Sequence, residues 1–467
     1  MENKNQLFSK ETYLKRRTLL KKKIIGSGVL LFLGNKESSI NFKDNRYPYR
    51  QDSTFLYYFE LNLPGLYAII DLDSDKEIIF GDDLNLEEIV WRGPQITIAE
   101  MCEKVGIQDT YPINKMSAYL SHREIHYLPV YRLVHIVFMA SLLNRSYSEI
   151  GMGYLVRFIK GVATQRAVKS FEEISSMHEV ASITSKILFT LMQQAKVGMK
   201  EYELVSRVLQ VAHEQGINIS FQPIVSIRGQ ILHNHYYGNT LSKGDMLLCD
   251  LGAESSQLYS GDMTRTFPVD TAFSSLQKEL YDVVHQSYLV VIAALKPGIK
   301  YLDLHFLACR ILVEVLVQVG FMKGHPEDVV DVGVHTIFFQ CGLGHMMGLD
   351  VHDMENFVEE YVGYDDQCEK SNAFGLKSLC LGKELASGFV VTVEPGIYII
   401  PELIKKYKAL GNYNDFINYS FLEKYTDFGG IRIEDDFAIT PDGAQLLGTP
   451  LVSTSDGIES IRKSALS

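Results

Sequence analysis

Three apolar, strand-like runs in the second half of this chain end in carboxylates, and that pattern limits the folds open to it. Met246-Leu247-Leu248-Cys249 leads into Asp250, and Phe389-Val390-Val391-Thr392-Val393 leads into Glu394 before a Pro395-Gly396 turn. Gly430-Ile431-Arg432-Ile433 leads into Glu434. A charge at the end of a buried strand costs several kcal/mol unless it is paired or ligates a cation. Strand alternation in Gly261-Asp262-Met263-Thr264-Arg265-Thr266-Phe267 puts Asp262, Thr264 and Thr266 on one face. Asp250 and Asp262, on strands joined by a turn, can therefore converge on one point, although turn aspartates give the same local pattern. Period two also sets Arg432 beside Glu434, with Ile431 and Ile433 behind, and a strand-edge ion pair fits that segment equally well. His345 and His352 lie among glycines in Gly342-Leu343-Gly344-His345-Met346-Met347-Gly348 and the residues after it. Glycine permits close backbone approach, which suits a site better than a core.

The chain reads as two parts, residues 1–160 and 161–467. The first mixes a basic helix over 10–23 with strands at 67–72 and 77–80, and Asp73-Ser74-Asp75-Lys76 is placed as a hairpin turn. In the second, Ile174, Met177, Val180, Ile183 and Ile187 recur at helical steps and predict one buried face on a long helix from about 162, ended by Gly198. A second helix is expected over 201–215, stopped by Gly216. The whole is an α/β (α+β) chain. Near the amino terminus Lys15, Arg16, Arg17, Lys21, Lys22 and Lys23 precede an apolar run over 24–34 and imitate a secretory signal. Gly26, Ser27 and Gly28 break that run and Asn35-Lys36-Glu37 follows it, so a buried strand over 28–33 is the expectation. No apolar run reaches the ~20 residues of a membrane span.

Composition narrows the partners. The 467 residues are 46% hydrophobic and 22% charged, and the net charge of -12 argues against a broad phosphate-binding surface and so against nucleic acid. Cys102, Cys249, Cys309, Cys341, Cys368 and Cys380 are scattered without C-x-x-C spacing, as in a reduced, cytoplasmic protein.

In order along the chain, Cys249-Asp250-Leu251-Gly252, Gly261-Asp262-Met263-Thr264-Arg265-Thr266-Phe267-Pro268, Gly342-Leu343-Gly344-His345, Val393-Glu394-Pro395-Gly396 and Ile431-Arg432-Ile433-Glu434-Asp435-Asp436 resemble the pita-bread metallopeptidases, specifically the branch of Xaa-Pro aminopeptidases and prolidases. Arg50-Gln51-Asp52-Ser53-Thr54-Phe55-Leu56-Tyr57-Tyr58 is similar to that branch's amino-terminal domain. The resemblance implies a mixed α/β amino-terminal domain followed by a pita-bread catalytic domain. It implies two divalent ions, manganese with cobalt or zinc as alternatives, held by Asp250, Asp262, His345, Glu394 and Glu434, with Asp262 and Glu434 shared. Four carboxylates gathered without cations would repel by about 4 kcal/mol per close pair at an effective dielectric near 20. The implied chemistry is metal-assisted hydrolysis in front of proline, with Glu394 as proton shuttle and His352 on the substrate. His233 is implied at the pocket mouth, and Arg432 and Tyr398 at the proline-specific site. Peptides with proline second are the implied partners, and the chain is expected to form a dimer or tetramer.

Two positions depart from the family. Cys341 stands where relatives carry a histidine, so that imidazole is lost unless His335 or His352 compensates, and Lys377 and Lys383 flank Cys380 where dipeptidases carry an arginine. The insert over 400–428, by contrast, is prolidase-like. The expected activity is Xaa-Pro aminopeptidase, with Xaa-Pro dipeptidase as the alternative. A non-catalytic pita-bread binding module is the alternative of another class, and it usually loses metal ligands that are present here.

Overall fold

In the computed structural model, which describes residues 8–467, the apolar run near the amino terminus is the strand Val29–Leu33, inside a five-stranded sheet. It pairs antiparallel with Tyr67–Asp71 and parallel with Ile125–Tyr127. Val29, Leu30 and Leu31 are shielded on both faces, as an interior strand requires. Tyr67–Asp71 and Lys76–Phe80 form the expected hairpin, and Asp75 takes the left-handed conformation at φ 54°. The basic helix Lys10–Lys23 is not a solvated stripe. Its Arg17 is fully buried and donates to the carbonyls of Tyr58 and Val105 at 2.9 and 2.7 Å and to the Glu77 carboxylate at 2.6 Å. These elements belong to one compact unit, which takes the chain up to Arg166 together with Met354–Val362.

The second unit comprises Ala167–Asp353 and Gly363–Ser467. The long helix expected from about 162 to Gly198 is divided. Val156–Ala167 ends before Ser170, whose hydroxyl accepts from the Glu173 amide while the Glu173 carboxylate accepts from the Ser170 amide, and this capping box starts a new helix, Phe171–Gln194. That helix stops at Ala195. Gly198, at φ 92°, turns the chain after it rather than ending it. The buried face carries Met177, Val180 and Ile187 as expected, but Ile174 and Ile183 are only half-buried. The face rotates because Thr184 and Ser185 are buried instead. Thr184 accepts the Ala253 amide at 3.0 Å, and Ser185 donates to the Thr449 carbonyl at 2.8 Å. Small hydroxyl residues with satisfied bonds let the helix lie close to the strands beneath it.

Two three-stranded sheets position the site. Met246–Leu251 lies between Met263–Pro268 and Ile224–Ser226, and Asp435–Ile439 lies between Val390–Val393 and Ala444–Leu446. Gly396–Tyr398 pairs with Gly430–Arg432, and an isolated bridge joins Thr264 to Glu434. The approach of backbones is close enough to select glycine: a Cβ at Gly252 would fall 1.7 Å from the Gly261 carbonyl oxygen. Among the described residues no helix is long and apolar enough to cross a membrane.

Candidate active site

Ladder register brings the acidic residues together. Asp250 lies opposite Thr264, and Thr264 bridges Glu434 on the other side. The Thr264 hydroxyl donates to Glu434 Oε2 at 2.6 Å and accepts from Arg432 Nε at 3.1 Å. Asp262 is fixed from behind, its amide donating to Asp436 Oδ2 at 3.1 Å. Glu394 follows the buried strand Val390–Val393, with its Oε1 3.4 Å from the Thr392 hydroxyl.

His345 is held by its backbone and by one ring nitrogen. Its amide donates to Thr392 Oγ1 at 3.1 Å, and its Nδ1 lies 3.1 Å from the Met346 carbonyl oxygen. A carbonyl can only accept, so Nδ1 carries the proton and Nε2 is left bare. Gly344 permits this placement, because a Cβ there would lie 2.4 Å from both the Thr392 carbonyl oxygen and the Tyr301 hydroxyl. His345 Nε2 sits 3.5 Å from Asp262 Oδ2 and 3.7 Å from Glu394 Oε1. Asp262, His345 and Glu434 offer donor atoms that all lie within 4.8 Å of one another.

Two of the donor atoms lack hydrogen-bond partners. His345 Nε2 and Asp262 Oδ1 are buried and have none. Burial first, and then Asp250, Asp436 and Glu394, raise the Asp262 pKa well above the carboxylate range. Burial and then Asp262, Glu394 and Asp250 do the same to Glu434. Burial likewise raises Glu394. A bare imidazole nitrogen beside mutually repelling carboxylates fits a divalent cation, which satisfies the nitrogen and neutralises the acids. Oxygen-rich ligation with one imidazole suits manganese, cobalt or zinc better than copper.

The other sequence candidates surround this group. His352 stacks on His345, ring centroids 3.8 Å apart and planes 17° apart. The neighbouring His345, then burial, then His233 lower its pKa to about 2, which keeps it neutral. His233 itself is exposed on a loop. The Arg432 guanidinium is committed on three sides: to the Asp250 carboxylate, to Thr264, and to the Tyr398 hydroxyl at 3.0 Å. Cys341 Sγ lies 3.9 Å from that same hydroxyl, and burial raises its thiol to about 12. His335 is not at this site. It lies with His305 and Cys309.

Thr264, Thr392 and Asp436 are the residues that sequence reasoning gave no role. Alternation in the sequence already sets Thr264 on the face of Asp262, and the same rule applied back from Glu394 reaches Thr392. The bond from the Asp262 amide to Asp436 joins distant segments and carries no local signal.

Comparison with known proteins accords with both units. Residues 175–441 match Metallopeptidase family M24, and residues 13–126 match the Aminopeptidase P, N-terminal domain. The chain is 30% identical over 429 residues to the Xaa-Pro dipeptidase of Homo sapiens, covering 90% of this chain and 85% of that one. It is 31% identical over 449 residues to a probable Xaa-Pro aminopeptidase of Fusarium vanettenii, covering 93% and 91%. An Escherichia coli aminopeptidase P variant solved with substrate superposes with a TM-score of 0.81 at 27% identity, over 98% of this chain and 99% of that one. The zinc-substituted Escherichia coli enzyme in complex with product gives a TM-score of 0.80 at 26% identity, over the same shares. A helix-backed pair of small sheets with acids at the strand ends is thus the pita-bread arrangement, and the chain belongs to metallopeptidase family M24.

Proposed function

We propose that the chain removes an amino-terminal residue standing in front of proline, as an Xaa-Pro aminopeptidase. The observation that carries this is the bare Nε2 of His345, buried 3.5 Å from Asp262 and 3.7 Å from Glu394. Asp250, Asp262, His345, Glu394 and Glu434 would hold two divalent ions, manganese being the first choice. Such ions polarise the scissile carbonyl and supply a nucleophilic oxygen at neutral pH.

The chain's own residues do the rest. Glu394, beside His345 and with its pKa raised, moves a proton to the leaving prolyl nitrogen. His352, neutral and stacked on His345, donates an N–H to the carbonyl oxygen as charge develops there. His233 closes the pocket mouth. Tyr398 and Arg432 shape the wall that receives the proline ring, whose tertiary amide offers no N–H to recognise. The engagement of Arg432 by Asp250, Thr264 and Tyr398 favours the aminopeptidase over the dipeptidase, since its charge is already paired with Asp250 and its Nε, Nη1 and Nη2 each serve a neighbour within the protein. A reduced, cytoplasmic setting agrees with six cysteines in no disulfide, and a dimer or tetramer remains our expectation for the assembly.

The test is reconstitution. Protein stripped by chelation should lose hydrolysis of an Xaa-Pro-Yaa peptide and regain it on addition of manganese to two equivalents. Full activity at no bound metal would overturn the proposal.

A further inference from the structure

Away from these acids, a second cluster of donors lies buried in the same unit. His305 and Cys309 are four apart on the helix Tyr301–Gln318, so both project from one face, and His335 meets them from the short 3-10 turn Val334–Ile337. One donor atom from each of the three lies within 4.8 Å of the others. Cys309 Sγ is 3.5 Å from His305 Nε2. The relative exposures are 1% for His305, 0% for Cys309 and 3% for His335.

The hydrogen-bond inventory of this cluster is incomplete in an informative way. His305 Nδ1 and both ring nitrogens of His335 are buried with no partner. A neutral imidazole has one donor and one acceptor, and burying both unsatisfied is unfavourable for a residue whose only role is packing. Burial keeps both rings neutral, lowering His305 to about 3 and His335 to about 4. Each therefore presents a lone pair, the form in which histidine binds metals.

We propose that His305, Cys309 and His335 form a third metal site, separate from the acidic one and selective for a thiophilic transition-metal ion, zinc or cuprous copper. Two imidazoles and a sulfur suit those ions and reject magnesium, calcium and manganese, whereas the oxygen-rich acidic site takes manganese well. Without a cation Cys309 stays a thiol, because burial raises its pKa well above the ordinary value. On binding, the S–H bond breaks, its electron pair passes into the metal–sulfur bond and the proton leaves to solvent. The ion would pin the helix to the segment that runs from His335 to His345. The Phe338 carbonyl in that segment accepts the Tyr398 amide at 2.8 Å, so the pin would steady the wall of the active site.

Cobalt titration of the chelator-stripped full chain tests this independently of activity. No cysteine is among the proposed catalytic ligands, so a thiolate-to-cobalt charge-transfer band in the near ultraviolet reports a cysteine-bearing site, and the Cys309→Ser variant assigns it to this one. The band should level off at an intensity of one thiolate-bound cobalt per chain, vanish in Cys309→Ser, persist in Asp262→Asn and in Cys341→Ser, and disappear when zinc or cuprous copper is added. His335→Asn should weaken it at least tenfold in cobalt affinity, which keeps the test decisive if Cys309→Ser fails to fold. The absence of a band in the parent protein at saturating cobalt overturns the site. So does its survival in Cys309→Ser or His335→Asn, its loss in Cys341→Ser, or its failure to yield to either competing ion.

Discussion

The imidazoles of His345 and His352 lie face to face, centroids 3.8 Å apart, and the bare Nε2 of His345 lies 3.5 Å from Asp262 and 3.7 Å from Glu394. The neighbouring His345 ring and burial lower the His352 pKa to about 2 and hold that ring neutral. In the proposed mechanism the pair divides labour: His345 serves the ions and His352 the substrate.

His352→Ala should accordingly lower kcat by roughly 10²–10⁴, the range for a positioned acid–base or hydrogen-bonding group. Metal content should match the parent, because the ring is proposed to touch substrate and not the ions. Metal analysis beside steady-state kinetics checks both halves. Loss of metal together with activity would show that His352 belongs to the ligand set.

For Asp262 and Glu434 the expectation is harsher. Asp262→Ala and Glu434→Ala should each abolish hydrolysis, and more than a few per cent of activity in both would contradict the two-ion assignment. Stability should respond in the opposite sense to activity. Because burial and neighbouring acids disfavour the charged form of Glu434, stripping metal from the parent should lower Tm, and the drop should be smaller in Glu434→Gln, which has one carboxylate fewer to repel. A larger drop in that variant would mean that repulsion among the acids is not what the ions relieve.

Much of this centre is written locally. Asp250, Glu394 and Glu434 end apolar strands, and Gly344 precedes His345 where a Cβ has no room, so each candidate is visible within a few residues of itself. The convergence is not visible. It depends on the register of Met246–Leu251 against Met263–Pro268 and on the bridge from Thr264 to Glu434, which are tertiary facts that resemblance supplied. The helical periodicity also misplaced part of a face. Ile174 and Ile183 satisfied an apolar stripe, yet Thr184 and Ser185 displaced it because satisfied hydroxyls pack as well as methyl groups and allow closer approach. The pairing of His305 with His335 had no sequence signal, since thirty positions separate residues that meet only through the packing of a helix on a turn.

Arg432 distinguishes a positioning role from a binding one. Its Nε, Nη1 and Nη2 go to Thr264, Tyr398 and Asp250 respectively, a planar fork that lysine cannot reproduce. Arg432→Lys should therefore reduce kcat at least tenfold on dipeptides and tripeptides alike, about 1.4 kcal/mol of transition-state stabilisation. If the guanidinium instead gripped a substrate carboxylate, KM for the dipeptide alone would rise. Parallel kinetics on the two substrates separate these outcomes.

The far end of the substrate sets the last expectation. A dipeptidase must hold a free carboxylate immediately after proline, and burying that charge demands a cation in reach. Arg432 is occupied by Asp250, and around Cys380 there are lysines in place of the arginine expected of dipeptidases. Lys383 stands over the Phe389 ring at 5.4 Å, and burial lowers its pKa to about 8, so a part of its population is uncharged near neutral pH. A tripeptide avoids the requirement, since its next residue can be held through backbone hydrogen bonds without buried charge. Xaa-Pro-Yaa peptides should thus show a higher kcat/KM than Xaa-Pro dipeptides. The preference should widen as pH rises through about 8, because any help that Lys383 gives a dipeptide carboxylate fades with its proton. Paired kcat/KM profiles from pH 6.5 to about 9 provide the measurement. A tenfold advantage for dipeptides, or about 1.4 kcal/mol, would establish the dipeptidase in place of the aminopeptidase.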